Sequence, residues 1–261
     1  MERFILGSAP RNVCRTSIML DRVYTIFDKR RRPLRNHVYL AFPDHDIAFA
    51  RIAEPAFHAL APVLHHLAGT GFCGTFADRS ANAMEISDRS LFHGNVELLT
   101  ARELKRRHPD MKIVAWVQDP MHRLAYCYDK IIVNDLPLPS YYQESYFDKS
   151  MSPQDFVSHV ASISDLEADN LFRSQTAALT YKGVLTADLI LLLEHFEHSL
   201  ERFLTAASQK FRPSPSFTYR ALDYVSPDTL RSFEDEDLCY KLRRRYKADY
   251  ELFNAQAAVP A

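Results

Sequence analysis

The sequence predicts an α/β fold, with a short, mostly parallel sheet flanked by helices and a largely helical carboxy-terminal half. Two apolar runs, Val38–Phe42 and residues 112–117, each lead through a proline-bearing turn towards a helical pattern. An amphipathic helix lies between them, and strands alternating with helices indicate a parallel sheet. Beyond residue 135 the apolar spacing is mostly helical.

The elements follow in order. The first 36 residues read as an irregular lead-in closing on "DKRRRPLRNH", either a solvated approach to the first strand or a surface that meets an anionic substrate. After strand 38–42, Ile47, Phe49, Ile52, Phe57, Leu60, Val63, Leu64 and Leu67 predict a helix over 46–68, kinked or divided at Pro55 and Pro62. "GFCGTF" is a further candidate strand. In "LLTARELKRRHP", Thr100 caps a short helix and Glu103 completes a capping box. The strand 112–117 ends in Asp119-Pro120 and runs into the helix "MHRLAYCYDKII". Tyr- and Pro-rich loops occupy 137–153, with helices at 153–163 and 166–180 and a strand near 188–193 followed by a helix. A last helix over 226–253 opens with Ser226 as cap and Pro227 at its first position, its core stripe being Leu238, Leu242, Tyr246, Tyr250 and Phe253. One domain over 1–261 is expected, with its core at 37–254.

Composition narrows the function. Hydrophobic content of 47% and charge of 25% over 261 residues are ordinary for a folded protein. A net charge of -1 argues against nucleic acid as a partner. Cys14, Cys73, Cys127 and Cys239 lie far apart, which gives neither a zinc module nor a disulfide framework and fits a reducing compartment. No apolar stretch approaches the roughly 18 to 20 residues of a membrane span, and the N-terminus makes a poor signal peptide. A cytoplasmic protein is therefore expected.

Several motifs are excluded by context. "GTGFCG" satisfies G-x-G-x-x-G, but a helix precedes it and a strand-like segment follows, the reverse of a dinucleotide site. Its glycines read as a helix stop and turn. There is no P-loop lysine motif and no G-x-S-x-G elbow. His58, His65 and His66 lack a third metal ligand at sensible spacing, so no metal is predicted.

The segment "FHGNVELLTARELKRRHPDMKIVAWVQDPMHRLAYCYDK" resembles the carbohydrate sulfotransferase family, in the branch of heparan, chondroitin and dermatan sulfotransferases and their bacterial relatives. In that family a second strand ends in Arg-Asp-Pro-x-x-Arg-x-x-Ser-x-Tyr, and here Asp119-Pro120, Arg123 and Tyr128 match. Downstream, "SPQDFVSHV", "DNLFRSQTAAL" with Asp169, Asn170 and Gln175, "DLILLLEHFEHSLERFL" with Glu194, and "YKADYELF" are similar to family segments in the same order. The resemblance implies a P-loop-like sulfotransferase fold and sulfuryl transfer from 3′-phosphoadenosine 5′-phosphosulfate (PAPS) to a hydroxyl of a glycan or another acceptor. It further implies a donor pocket lined by Pro43, Asp44, His45, Asp46, Ile47 and Ala48 in the first loop and by Gln118 and Tyr126 in the second. His93, in "LFHGN", is the candidate base.

The departures fall on those loops. The family's first loop reads Pro-Lys-x-[Gly/Ala]-[Gly/Ser]-[Ser/Thr]-[Ser/Thr], and aligned on Pro43 it puts Asp44 at the lysine. Gln118 stands at the arginine and Tyr126 at the serine. Arg51 or Arg30–Arg32 could supply replacement cations, while Asp119 and Arg123, four apart, are expected to pair within their helix. Three readings stay open: a PAPS-dependent transferase with a remodelled donor pocket, a catalytically inactive sulfotransferase-like binding protein, and transfer from another donor.

Overall fold

The computed structural model describes residues 35–70, 91–138, 140–207 and 225–258. The chain divides into two compact units, residues 1–35 and 36–261. Of the first unit only Arg35 is among the described residues, so the basic run Arg30–Arg32 lies outside them, as does "GFCGTF".

The second unit is built on a five-stranded sheet. Its strands are β1 (Tyr39–Phe42), β2 (Ile47–Ala50), β3 (Glu97–Leu99), β4 (Lys112–Val117) and, later in the chain, β7 (Leu189–Leu192). The order across the sheet is β3-β1-β2-β4-β7. Strand β2 pairs parallel with β4, and β4 with β7, while β1 runs against both its neighbours. Four of the five strands thus point one way, as the mostly parallel sheet requires.

Helix α1 (Glu54–Leu67) follows β2, α2 (Ala101–Arg107) follows β3, and α3 (Pro120–Tyr128) follows β4. A π-helical turn at Asp129–Val133 extends α3. Then come α4 (Ser140–Glu144), α5 (Pro153–Ser162) and α6 (Gln175–Leu179), and a small hairpin of β5 (Thr180–Tyr181) and β6 (Val184–Leu185). After β7, the 3-10 turn Leu193–His195 leads into α7 (Phe196–Ala206), and α8 (Pro227–Phe233), α9 (Glu236–Arg245) and α10 (Lys247–Ala257) close the chain.

The first predicted unit is corrected. Residues 46–50 are not helical: Pro43–His45 make a 3-10 turn, Asp46 takes the left-handed φ of 50°, and Ile47–Ala50 return as a strand antiparallel to β1. The reason is burial on both faces. Ile47 and Phe49 enter the core under α1 and α7, while Ala48 and Ala50 enter the core on the opposite face. A period of two satisfies both layers at once, and a helix between β1 and β4 could not. The helix begins only at Glu54, with Pro55 in its first turn, where the missing N–H costs nothing, and it passes through Pro62 unbroken.

Glycine ends that helix. Gly69 has φ 73°, and the N–H groups of Gly69 and Thr70 bond back to the carbonyls of His66 and His65 at 3.0 and 2.9 Å. Nearby, Gly94 lies so close that a Cβ would meet the Ala68 carbonyl oxygen at 2.1 Å.

Local signals decided other elements. Thr100 accepts from the Glu103 N–H at 3.2 Å while Glu103 accepts from the Thr100 N–H at 2.9 Å, completing the capping box. The helix expected over 166–180 is only Gln175–Leu179, preceded by turns. The single helix expected over 226–253 is three, because Asp235 caps a new start by accepting from the Leu238 N–H, and Tyr246 leaves helical φ at -111°. The predicted stripe still packs: Leu238, Leu242 and Tyr246 are buried in a helical core with α3, α5 and α8.

Candidate functional site

Strands β2, β4 and β7 run parallel, so the loops that follow them share one edge of the sheet, where α/β proteins bind ligands. The three loops are Arg51–Ala53 before α1, Gln118–Asp119 before α3, and Leu193–His195 before α7.

Glu54 opens α1. Its carboxylate is buried and meets three donors from two helices: an ion pair with Lys130, a hydrogen bond from the Tyr126 hydroxyl at 3.2 Å, and His58 Nε2 at 3.6 Å. Burial alone would raise its pKa; the charge of Lys130, with His58, outweighs that and holds the carboxyl at about 2. Arg51, in the same loop, stacks its guanidinium 5.3 Å from the centre of the Phe57 ring.

The second loop is built from backbone. The Gln118 N–H donates to Gln175 Oε1 at 2.9 Å, and Gln175 Nε2 donates to the Gln118 carbonyl at 2.7 Å, so one amide prolongs the strand pairing by a residue. Gln175 is itself held by Asp249, whose carboxylate accepts from Ser174 Oγ and from the N–H groups of Gln175 and Thr176 at 2.7, 2.8 and 2.8 Å. The Gln118 side chain is 4% exposed, and its Oε1 has no hydrogen-bond partner among the described residues. Asp119 caps α3, accepting from Met121 and His122 at 2.8 and 3.1 Å.

The expected Asp119–Arg123 ion pair is corrected. Arg123 is buried and donates to the carbonyls of Arg173 and Asn170, each at 2.6 Å, tying α3 to the turn before α6. A void there, lined by Pro120, Arg123, Leu124, Leu171, Phe172 and Tyr246, has no room for a water molecule.

At the third loop, Glu194 Oε1 accepts from the Asp119 N–H at 2.8 Å, and His122 Nδ1 lies 4.0 Å from the same oxygen. Burial, helped by the nearby charge of Asp119, raises this carboxyl to about 7 against the backbone N–H groups of Asp119 and of Glu194 itself. Glu194 Oε2 and His122 Nδ1 have no hydrogen-bond partner among the described residues.

Of the residues singled out in the sequence, Gln118 and Tyr126 stand at this edge. Pro43, Asp44, His45 and Asp46 do not: they form the β1–β2 turn at the opposite edge, where the Lys112 N–H donates to the Asp46 carbonyl at 3.0 Å. Ile47 and Ala48 are interior residues of β2. An acidic cleft of about 360 Å³ opens there, lined by Asp46, His108, Pro109, Asp110 and Met111. His93 is also at that opposite edge, exposed beside Gly94 at the far end of α1, about 20 Å from Glu54 by the rise of a 14-residue helix. Glu54, His58 and Lys130 were missed as a group. Pro55 in a first helical turn was the available signal for where α1 begins.

Among the described residues no group of three or more His, Cys, Asp or Glu is placed to hold a metal, and no helix is long and apolar enough to cross a membrane. No curated protein and no solved structure matches the chain. A family model does: the one described as the sulfotransferase family matches residues 37–255, spanning β1 to α10 and all three loops of the edge. The chain belongs to the sulfotransferase family.

Proposed function

We propose that this protein keeps the sulfotransferase frame but does not take PAPS by the family's route, and serves as a binding protein for a hydroxylated ligand such as a glycan. Membership supports sulfuryl transfer in general, with a sulfonate donor and a hydroxylated acceptor. The residues at the donor end do not fit that donor. With β2 as the first strand, the family's lysine-bearing loop falls on Ala53 to Ala59, which puts Glu54 at the lysine and His58 at a hydroxyl residue.

The observation that carries the reading is the Glu54 carboxylate itself. It is ionised and already engaged by Lys130, Tyr126 and His58. A phosphosulfate brought within about 4 Å would meet a repulsion on the order of 1 to 4 kcal/mol, depending on screening. Gln118 in place of the arginine removes a charge-assisted fork from the second loop. Supporting a binding role, the edge retains buried polar atoms, Gln118 Oε1 and Glu194 Oε2, without partners among the described residues.

Transfer to a hydroxyl is the second reading, and Glu194 favours it. A carboxyl held at about 7 is suited to accept a proton near neutral pH. His93, at the opposite edge, takes no part in either reading.

Calorimetry with adenosine 3′,5′-bisphosphate decides between them, run on the wild type and on Gln118→Arg. No heat of binding at millimolar nucleotide from either folded protein is the expected result. Micromolar binding that weakens with salt would overturn the closed-donor reading and turn attention to acceptors.

A further inference from the structure

Three side chains converge on Glu54, and the backbone that carries one of them, Lys130, is held by bonds that do not involve Glu54. Lys130 stands on the π-helical turn, a local widening of the helix that re-aims side chains and often marks a functional position. That turn is pinned from outside: the Asp129 carboxylate accepts from the Ser226 N–H at 2.7 Å and from the Thr229 hydroxyl. The Lys130 carbonyl in turn accepts from the Asn134 side-chain amide. Tyr126 lies one turn earlier on α3, and His58 one turn along α1. Ammonium, phenol and imidazole thus face a single carboxylate, and the Lys130 ammonium also lies over the Tyr126 ring, 5.9 Å from its centre.

We infer that Lys130, Tyr126 and His58 form an oxyanion site whose resident ligand is the Glu54 carboxylate, and that Glu54 keeps phosphate- or sulfate-type anions out. The inference rests on the closed-donor reading and adds what closes the site. Charge is what distinguishes it. Two facing groups are cationic or can become so, and the only anion among them belongs to the chain. Truncating Glu54 at Cβ removes that anion, clears the volume of a methylene and a carboxylate, and leaves Lys130 uncompensated. Exchange by acid is not a natural route, because a carboxyl at about 2 stays ionised throughout the range in which proteins work.

Isothermal titration with inorganic pyrophosphate tests this, on the wild type, Glu54→Ala and the Glu54→Ala/Lys130→Ala double variant. Pyrophosphate is chosen because it needs nothing from the altered Gln118 loop. Glu54→Ala should bind about ten- to a hundredfold more tightly than the wild type, the change that one hydrogen bond to a charged group carries. Its melting temperature should rise with pyrophosphate, since ligand binding only to the folded state stabilises it. The double variant should lose both effects. Where Glu54→Ala does not fold, Glu54→Gln removes the charge while keeping the shape, and a smaller gain in affinity is expected.

A folded Glu54→Ala that ignores pyrophosphate overturns the inference and leaves the closed-donor reading standing. Binding that survives loss of Lys130 also overturns it, because the anion then sits elsewhere. Tight binding of adenosine 3′,5′-bisphosphate by the wild type would instead remove the reading beneath it.

Discussion

Two glutamates, Glu54 buried and Glu194 partly buried, stand at the same edge of the sheet, and their surroundings hold them in different states. Glu54, after β2, meets Lys130, Tyr126 and His58 and sits at about 2. Glu194, after β7, has one backbone N–H at 2.8 Å, a histidine nitrogen at 4.0 Å and an oxygen with no hydrogen-bond partner among the described residues, and it sits at about 7. Burial acts on both in the same direction. The neighbours decide: Lys130 pairs with Glu54, while the neighbouring charge on Glu194 is that of Asp119.

Removing that lysine should give the largest effect. Lys130→Met leaves the Glu54 carboxylate buried without its main partner, and we expect a loss of about 3 to 5 kcal/mol in urea unfolding. Glu54→Gln/Lys130→Met should recover most of it, since taking out both partners leaves no orphan charge. A loss below about 1 kcal/mol for the single variant would mean that solvent screens the pair.

Acid and base should then separate the two carboxyls. Glu54 has a folded value below its ordinary 4.5, so its contribution is present above pH 4.5 and is lost as pH falls towards 2. Glu194 has a folded value above 4.5, so the fold favours its protonated form. Its contribution is full below pH 4.5 and is lost as pH rises through 7. Each amounts to something on the order of 3 to 4 kcal/mol at 1.36 kcal/mol per pKa unit. Melting temperature against pH should flatten between 4.5 and 7 in Glu194→Gln, and below 4.5 in Glu54→Gln. An unchanged upper window in Glu194→Gln would show that its carboxyl titrates as it does in water.

The smallest effect belongs to His122. At 4.0 Å it makes no hydrogen bond to Glu194, so His122→Ala should change stability by less than about 0.5 kcal/mol and leave the Glu194 midpoint in place by NMR titration. A midpoint that moves sharply would make the histidine, rather than burial, the group that sets Glu194.

How much of this the sequence carried depends on the distance over which each signal acts. The capping box at Thr100, the strand Lys112–Val117 and the start of α3 at Asp119-Pro120 rest on residues at most a few apart, and all three could be read from the sequence. The β1–β2 hairpin could not be read so easily. Ile47 and Phe49 fit a helical spacing as well as an alternating one, and only the sheet on both sides of β2 selects the strand. Read as the start of a helix, those residues put the expected donor loop at Pro43–Ala48, which is the β1–β2 turn and the start of β2. The three helices in place of one at 226–253 turn on Asp235, a cap that lay within a run of acids. Glu54 and Lys130 are 76 residues apart, and no local pattern announces that a lysine on the π-helical turn ending one helix will neutralise a glutamate at the head of another.

The grip of Asp249 on Gln175 bears on how the protein is made. Gln175 clamps Gln118 through both ends of its amide, and the Asp249 carboxylate closes on the Gln175 N–H. During synthesis, β1 to β4 leave the ribosome long before Asp249 has been added. The bonds by which Asp249 holds Gln175 beside the end of β4 can therefore form only after one of the last helices has been made.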